Sequence, residues 1–225
     1  MSLRAVIFDM DGVLLDSEPV HYEATCEFLA ELGITYTAAE DEDFFGRTDR
    51  DVFRALRARY GLADHEDALA EAWTVRALPL LRARVQPLPG VPDVLHQLQA
   101  RGLRLALASS SAPAIIAASL EALGIADVFE TRVSGHDVAR GKPSPDIFLE
   151  AARRLGLPPS ACIVVEDSHN GLQAARAAGI PCAVVPCAST ARQDFSGADT
   201  RLASLLGLLP WVDARRNGSL PPAAR

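Results

Sequence analysis

Little in this chain points to export, to a membrane or to nucleic acid. Its four cysteines, Cys26, Cys162, Cys182 and Cys187, form no Cys-x-x-Cys pair and no His/Cys spacing suited to zinc. Cys162 and Cys182 sit inside apolar runs, where a thiol packs as a small hydrophobe, so a reducing compartment is expected. No apolar stretch approaches the roughly 20 residues of a membrane span. The first apolar run is too short for a signal peptide and is interrupted by Asp9 and Asp11, so a cytoplasmic location is expected, with no membrane partner. Positive charge is scarce: 22 Lys and Arg against 29 Asp and Glu leave a formal net charge of -7. That balance argues against a nucleic-acid partner and leaves room only for a local basic pocket for a small anion. No Gly-x-Gly-x-x-Gly follows the first strand-like run, so a dinucleotide site is not expected. "GHDVARGKP" has five residues between its glycines and Pro143 where a phosphate-binding P-loop needs Ser or Thr, which excludes that reading too. No internal repeat is evident.

What is present is an ordinary globular composition, 49% hydrophobic and 23% charged over 225 residues, which suits one or two domains with a substantial core. "AVIFDMDG", "LRLALASSS" (103–111), "ACIVVEDS" (161–168) and "PCAVVP" (181–186) are short apolar runs closing in polar residues, with "ETRVSG" (130–135) a weaker fifth. Such runs read as strands buried on both faces. Between them lie helical periodicities: Val91, Val94, Leu95 and Leu98 before Gly102; Ile116, Leu120 and Leu123 before Gly124; Phe148, Ala151, Ala152 and Leu155 before Gly156; Leu172 and Ala175 before Gly179. Strands alternating with helices predict an α/β fold, a doubly wound, Rossmann-like parallel sheet with helices on both faces. Residues 17–85 break the rhythm and hold only helical patterns: Thr25, Phe28, Leu29 and Leu32, then Val52, Phe53, Leu56 and Tyr60, then Leu69, Ala72 and Trp73. Pro79 is expected to kink the third helix or to start a new one. The expected organisation is a core of residues 1–16 and 86–212, an inserted helical cap of residues 17–85, and a disordered tail of residues 213–225.

In an open parallel sheet, ligands bind beyond the carboxyl ends of the strands, so the residues closing the apolar runs should meet in one place. The first run contributes Asp9 and Asp11. The second contributes Ser109 and Ser110, leading into a helix. The fourth contributes Glu166 and Asp167, with Ser168 as a helix N-cap. "GKPSPDIF" adds Lys142 before another helix. Burying like charges together is costly unless a cation or donors compensate. The four acids can hold a hard divalent cation such as Mg2+, which prefers oxygen ligands. Serine hydroxyls and helix-start N–H groups can hold phosphate oxygens, and Lys142 can offset the remaining charge. Asp9 could then stay ionised beside a phosphate dianion and attack phosphorus, and Asp11 could protonate the leaving oxygen and later activate water.

"FDMDGVLLDS", "ALASSS", "GKPSPDIF" and "VVEDSHNG", in that order and spacing, resemble the four motifs of the haloacid dehalogenase superfamily. The likeness is greatest to its branch of β-phosphoglucomutases and small sugar-phosphate phosphatases with a helical cap, and it covers the chain to about residue 208. The resemblance implies Asp9 as nucleophile, Asp11 as general acid/base, and Ser109, Ser110 and Lys142 around the phosphoryl group. It implies Mg2+ on Asp9, the Asp11 main-chain carbonyl and Asp167, with Glu166 a ligand or close neighbour.

Three cap residues are further candidates: His21, which matches a histidine of the mutases near their proton-transfer apparatus, and Arg47 and Arg50 in "FFGRTDRD". The expected activity is a Mg2+-dependent phosphatase acting on a small phosphorylated metabolite, a sugar or polyol phosphate, as a monomer. A β-phosphoglucomutase-type mutase is the alternative. Against it stand Asp49, where a phosphate-binding arginine of the mutases would fall, and Ala112-Pro113, where they often carry a polar pair. A dehalogenase fits less well because those relatives generally lack the second aspartate. A non-enzymatic receiver-type switch has no use for a cap.

Overall fold

The computed structural model describes residues 3–218. Six parallel strands form one sheet in the order β3-β2-β1-β4-β5-β6: β1 Ala5–Phe8, β2 Arg104–Ser109, β3 Thr131–Ser134, β4 Cys162–Glu166, β5 Cys182–Val184 and β6 Thr200–Arg201. The central strand β1 pairs Ala5 with Arg104 on one side and with Cys162 on the other. Period-two alternation splits each strand between two apolar layers. Val6, Phe8, Leu105, Leu107, Ile163 and Val165 face one layer. Ala5, Ile7, Ala106, Ala108, Cys162 and Val164 face the other. Both layers are covered, which is why these runs are apolar throughout.

In chain order the helices are α1 Glu18–Glu31, α2 Ala38–Asp41, α3 Asp49–Tyr60, α4 Glu66–Arg84, α5 Val91–Ala100, α6 Pro113–Ala122, α7 Asp146–Arg154, α8 His169–Ala177 and α9 Leu208–Arg216. Helices α5, α6 and α9 cover one face of the sheet through Val94, Leu98, Ile116, Leu120, Leu208 and Val212. Helices α7 and α8 cover the other through Phe148, Ala151, Leu172 and Ala175. Helices α1 to α4 follow β1 and precede α5, and their apolar residues Phe28, Leu29, Phe53, Leu56, Trp73 and Leu81 continue the first layer, with α4 packed on α6. No helix among the described residues is long and apolar enough to cross a membrane.

Three details depart from expectation. Helix α4 runs unbroken through Pro79. Pro79 and Val75, whose carbonyl loses its i+4 donor, both face outward, so water can serve that carbonyl. Residues 213–216, expected in a disordered tail, form the last turn of α9. Leu208 and Val212 are fully buried, Asp213 bridges to Arg101 at 3.0 Å, and Arg215 lies 3.6 Å from Asp199. The rest of that expected tail, from residue 219 on, lies outside the described residues. Helix α2 and the two-residue strand β6 were not anticipated, because each is too short to show a period.

Candidate active site

Strands β1, β2 and β4 deliver their last residues, and the residues just beyond, to one edge of the sheet. Asp9 follows β1, Ser109 ends β2, Glu166 ends β4 and Asp167 follows it. Lys142 enters from the loop between β3 and α7 and is 4% exposed, a burial that a lysine tolerates only with partners. It has two: Nζ lies 2.5 Å from Asp9 Oδ1 and 2.6 Å from Glu166 Oε1. Burial works against the lysine's charge, but Asp9 and Glu166 outweigh it and hold its pKa above the ordinary value. Glu166 is fully enclosed and spends its other oxygen on Asp167 N, Ser168 N and Ser168 Oγ at 2.9, 2.8 and 2.9 Å. Ser168 Oγ in turn accepts from Gly171 N as the N-cap of α8. Glu166 therefore ties the lysine, the aspartate loop and a helix start into one unit.

Oxygens of Asp9, Glu166 and Asp167 lie within 4.8 Å of one another, all three buried. Burial pushes Asp9 well above the usual carboxylate range, with Lys142 opposing and Glu166, Asp11 and Asp167 adding to the rise. Burial and then Glu166 push Asp167 up to about 7, against hydrogen bonds from Cys187 Sγ and Thr190 Oγ1, both to its Oδ2, at 3.2 and 3.1 Å. Three clustered carboxylates with one lysine between them have the donor set and the charge deficit of a hard divalent cation site, so these residues fit Mg2+. Gly12 is needed here: its φ is +76°, and a Cβ would come 2.2 Å from Asp167 Oδ2.

Asp11 is half-buried, and both its oxygens are engaged. Ser17 Oγ donates to Oδ1 at 2.5 Å, while Ser109 Oγ and Ser111 Oγ donate to Oδ2 at 3.2 and 3.0 Å. Ser109 is fully buried and also accepts from Ser111 N at 3.1 Å, so it braces Asp11. Of the three serines 109–111, Ser110 and Ser111 border the open space.

That space is a cavity of about 80 Å³ between the sheet edge and the cap. Asp9, Asp11, Ser110, Ser111 and Asp167 form its floor, and Glu18, His21, Asp41, Arg47, Asp49 and Trp73 are among the residues of the cap side. The His21 ring meets Trp73 edge-on at 5.4 Å, and its buried Nε2 has no hydrogen-bond partner among the described residues. Burial, then Asp11, Asp167 and Asp41, raise the Glu18 pKa well above the ordinary value. Burial also raises that of Asp49, against His21 and the Ala112 amide. Arg47 reaches the cavity beside Phe44, 5.7 Å from its ring. Arg50 does not: from the first turn of α3 it pairs with Asp67 of α4 at 2.5 Å, beside a separate cleft. Ser111 closes the same apolar run as Ser109 and Ser110, whereas Glu18, Asp41, Cys187 and Thr190 were not singled out from sequence, because none lies in a strand-end motif and only the folded cap and the loop after β5 bring them in.

A doubly wound sheet with a helical insertion after β1, carrying paired aspartates, a lysine and acids at the strand ends, defines a hydrolase with a Rossmann-like core and a helical insertion. The family model of the haloacid dehalogenase-like hydrolases matches residues 3–179, and the chain belongs to that family. It is 39% identical over 215 residues to Protein CbbY of Rhodobacter capsulatus, covering 91% of this chain and 95% of that protein. It is 34% identical over 212 residues to hexitol phosphatase B of Escherichia coli, covering 92% and 94%. The crystal structure of CbbY from Rhodobacter sphaeroides in complex with phosphate superposes with a TM-score of 0.85 at 31% identity, covering 94% of this chain and 99% of that one.

Proposed function

We propose that this protein is a Mg2+-dependent phosphatase that hydrolyses a small phosphorylated metabolite, a sugar or polyol phosphate, through an aspartyl phosphate on Asp9. The observation that carries this reading is the buried Asp9–Lys142–Glu166 unit opening on a cavity whose opposite wall is polar and carboxylate-rich. Lys142 holds Oδ1 of Asp9 and so orients the carboxylate for in-line attack on phosphorus. Asp9, the Asp11 main-chain carbonyl and Asp167 would hold Mg2+, with Glu166 beside them; when bound, it supplies positive charge against the phosphoryl oxygens. Ser109, Ser110 and Lys142 bind that group, and Ser109 also holds Asp11 in place. Asp11 delivers a proton to the leaving oxygen and later takes one from water. Its three hydroxyl partners can all accept as well as donate, so either protonation state is accommodated.

The cap wall supports the substrate class. Glu18 and Asp41 accept hydrogen bonds from hydroxyls, the orphaned His21 Nε2 takes one more, and Trp73 offers an apolar face. Hexitol phosphatase B, by its name, acts on a phosphorylated polyol. In this reading residues 1–16 and 86–212 are the catalytic core and residues 17–85 the cap. The enzyme works in the cytoplasm as a monomer, without nucleic-acid or membrane partners. Arg47 favours a second reading, a mutase that grips a second phosphate on the cap side. A phosphate-release screen over sugar, polyol and nucleotide monophosphates tests the first: fastest release from a sugar or polyol phosphate, abolished by EDTA and restored by Mg2+, is expected. Release that persists undiminished in metal-free buffer would refute it.

A further inference from the structure

Besides the packing of α4 on α6, the cap is seated on the core by one short hydrogen-bonded segment. Residues 45–49, just before α3, carry three hydrogen bonds across the boundary. Ser110 Oγ donates to the Gly46 carbonyl at 2.9 Å. Asn170 Nδ2 donates to the Phe45 carbonyl at 3.1 Å. The Ala112 amide donates to the Asp49 carboxylate at 3.1 Å. The donors come from the segments after β2 and β4, the same segments that carry Ser109 and Asp167.

The segment after β3 completes the seat. Thr48 is buried, and its methyl lies over the loop that leads into Lys142. A Cβ on Gly141 would stand 2.7 Å from Thr48 Cγ2 and 3.2 Å from Asp51 Oδ2, so its three nearest neighbours are all cap atoms. Gly141 needs no left-handed backbone; what its missing side chain provides is room for the cap to close. Thr48 cannot swing away, because its hydroxyl accepts from Asp51 N at 3.2 Å as the N-cap of α3.

We infer that residues 45–49 are a latch, pinned by the side chains of Asp49 on the cap and Asn170 on the core. The latch holds the cap closed over the Ser110, Lys142 and Asp167 segments, which keep their own places through hydrogen bonds within the core. Asp49 and Asn170 are thus positioning residues for the reaction. This also gives Asp49 a reason to be acidic: its carboxylate accepts from a main-chain donor at the start of α6.

The inference rests on the phosphatase reading, and two kinds of measurement separate them. Acetyl phosphate is short and its leaving group needs no proton, so its transfer to Asp9 does not depend on a closed cap. Asp49→Ala and Asn170→Ala should each lower kcat/KM roughly five- to tenfold, mainly through KM, for the monophosphate released fastest in the screen. Hydrolysis of acetyl phosphate should change less than about twofold. Asp49→Asn keeps an acceptor oxygen and should stay near wild type. Gly141→Ala should behave like Asp49→Ala and be rescued by Thr48→Ser, which removes the obstructing methyl and keeps the capping hydroxyl. Hydrogen exchange over residues 44–52 in Mg2+ alone should quicken in Asp49→Ala, Asn170→Ala and Gly141→Ala, and this readout needs no activity. The latch is overturned if Asp49→Asn is as damaging as Asp49→Ala, if Thr48→Ser fails to rescue Gly141→Ala, or if exchange is unchanged. Absence of any acetyl phosphate hydrolysis by the wild type would sink the phosphatase reading instead, and the exchange rates would still decide the latch.

Discussion

In the proposed reaction Asp9 must be shielded from bulk water and yet ionised to attack phosphorus, two demands that oppose each other. Burial raises its pKa, and Lys142 at 2.5 Å supplies the nearest opposing charge. Asp11, two residues away, has a different environment, with three hydroxyl donors and no cation in contact. Different environments imply different losses on mutation. Asp9→Asn removes the nucleophile, so turnover and acid-stable labelling by a phosphorylated substrate should both vanish. Near wild-type turnover in that variant would contradict the assignment. Asp11→Asn keeps the main-chain carbonyl, so Mg2+ binding followed by calorimetry should be retained. The rate should still fall roughly 100-fold or more, the usual scale for a lost general acid/base.

Helices and strands differ in how plainly the sequence announces them. Strands β1, β2 and β4 were legible because both faces of each are buried, so the runs are apolar throughout and stop at the active edge. The weaker run 130–135 did become β3, an edge-side strand with a half-exposed start. That Asp9, Asp11, Ser109, Glu166 and Asp167 would meet was legible for the same reason, since topology sends every strand end to one edge, and Lys142 joins them from the loop after β3. Cap residues were not. Arg47 and Arg50 are three positions apart, yet one reaches the cavity and the other is drawn off by Asp67, a partner 17 residues away. Helix α9 was missed because its charged last turn is held by Arg101, more than a hundred residues distant. Pro79 starts no new helix because the cost of an interior proline depends on which side of the helix faces water. That last point is measurable. Pro79→Ala restores an N–H and relieves the ring, so it should raise stability by about 1 to 3 kcal/mol in denaturant unfolding. A loss of stability would mean that α4 needs the proline.

At the scale of the whole molecule, the proposed reaction asks an acidic site in a negatively charged protein to bind an anion, a conflict that a bound Mg2+ would resolve. Without it, Asp9 and Asp167 carry pKa values raised above their unfolded ones, Asp167 to about 7. A carboxylate raised on folding favours the folded state below its unfolded value, about 3.9, and that contribution is lost as pH rises through the folded value. In EDTA, the melting temperature should therefore fall as pH goes from 5 to 8, and added Mg2+ should raise it more at pH 8 than at pH 5. An equal Mg2+ effect at both would indicate that these acids do not hold the ion. The choice between phosphatase and mutase is also made at this scale, because it depends on whether water or a second sugar hydroxyl reaches the aspartyl phosphate inside the closed cap. Asp49 pinned to α6 and an acidic cap wall leave Arg47 as the one cation among the cavity's cap-side residues. A bisphosphate that must be held in either of two orientations needs more than that. The most direct test of the account supplies β-glucose 1-phosphate with a trace of glucose 1,6-bisphosphate and follows glucose 6-phosphate and free phosphate together, beside the sugar and polyol phosphates of the screen. Free phosphate as the main product, fastest from one of those phosphates, is the predicted result. Glucose 6-phosphate forming many times faster than phosphate is released from any of them would contradict it.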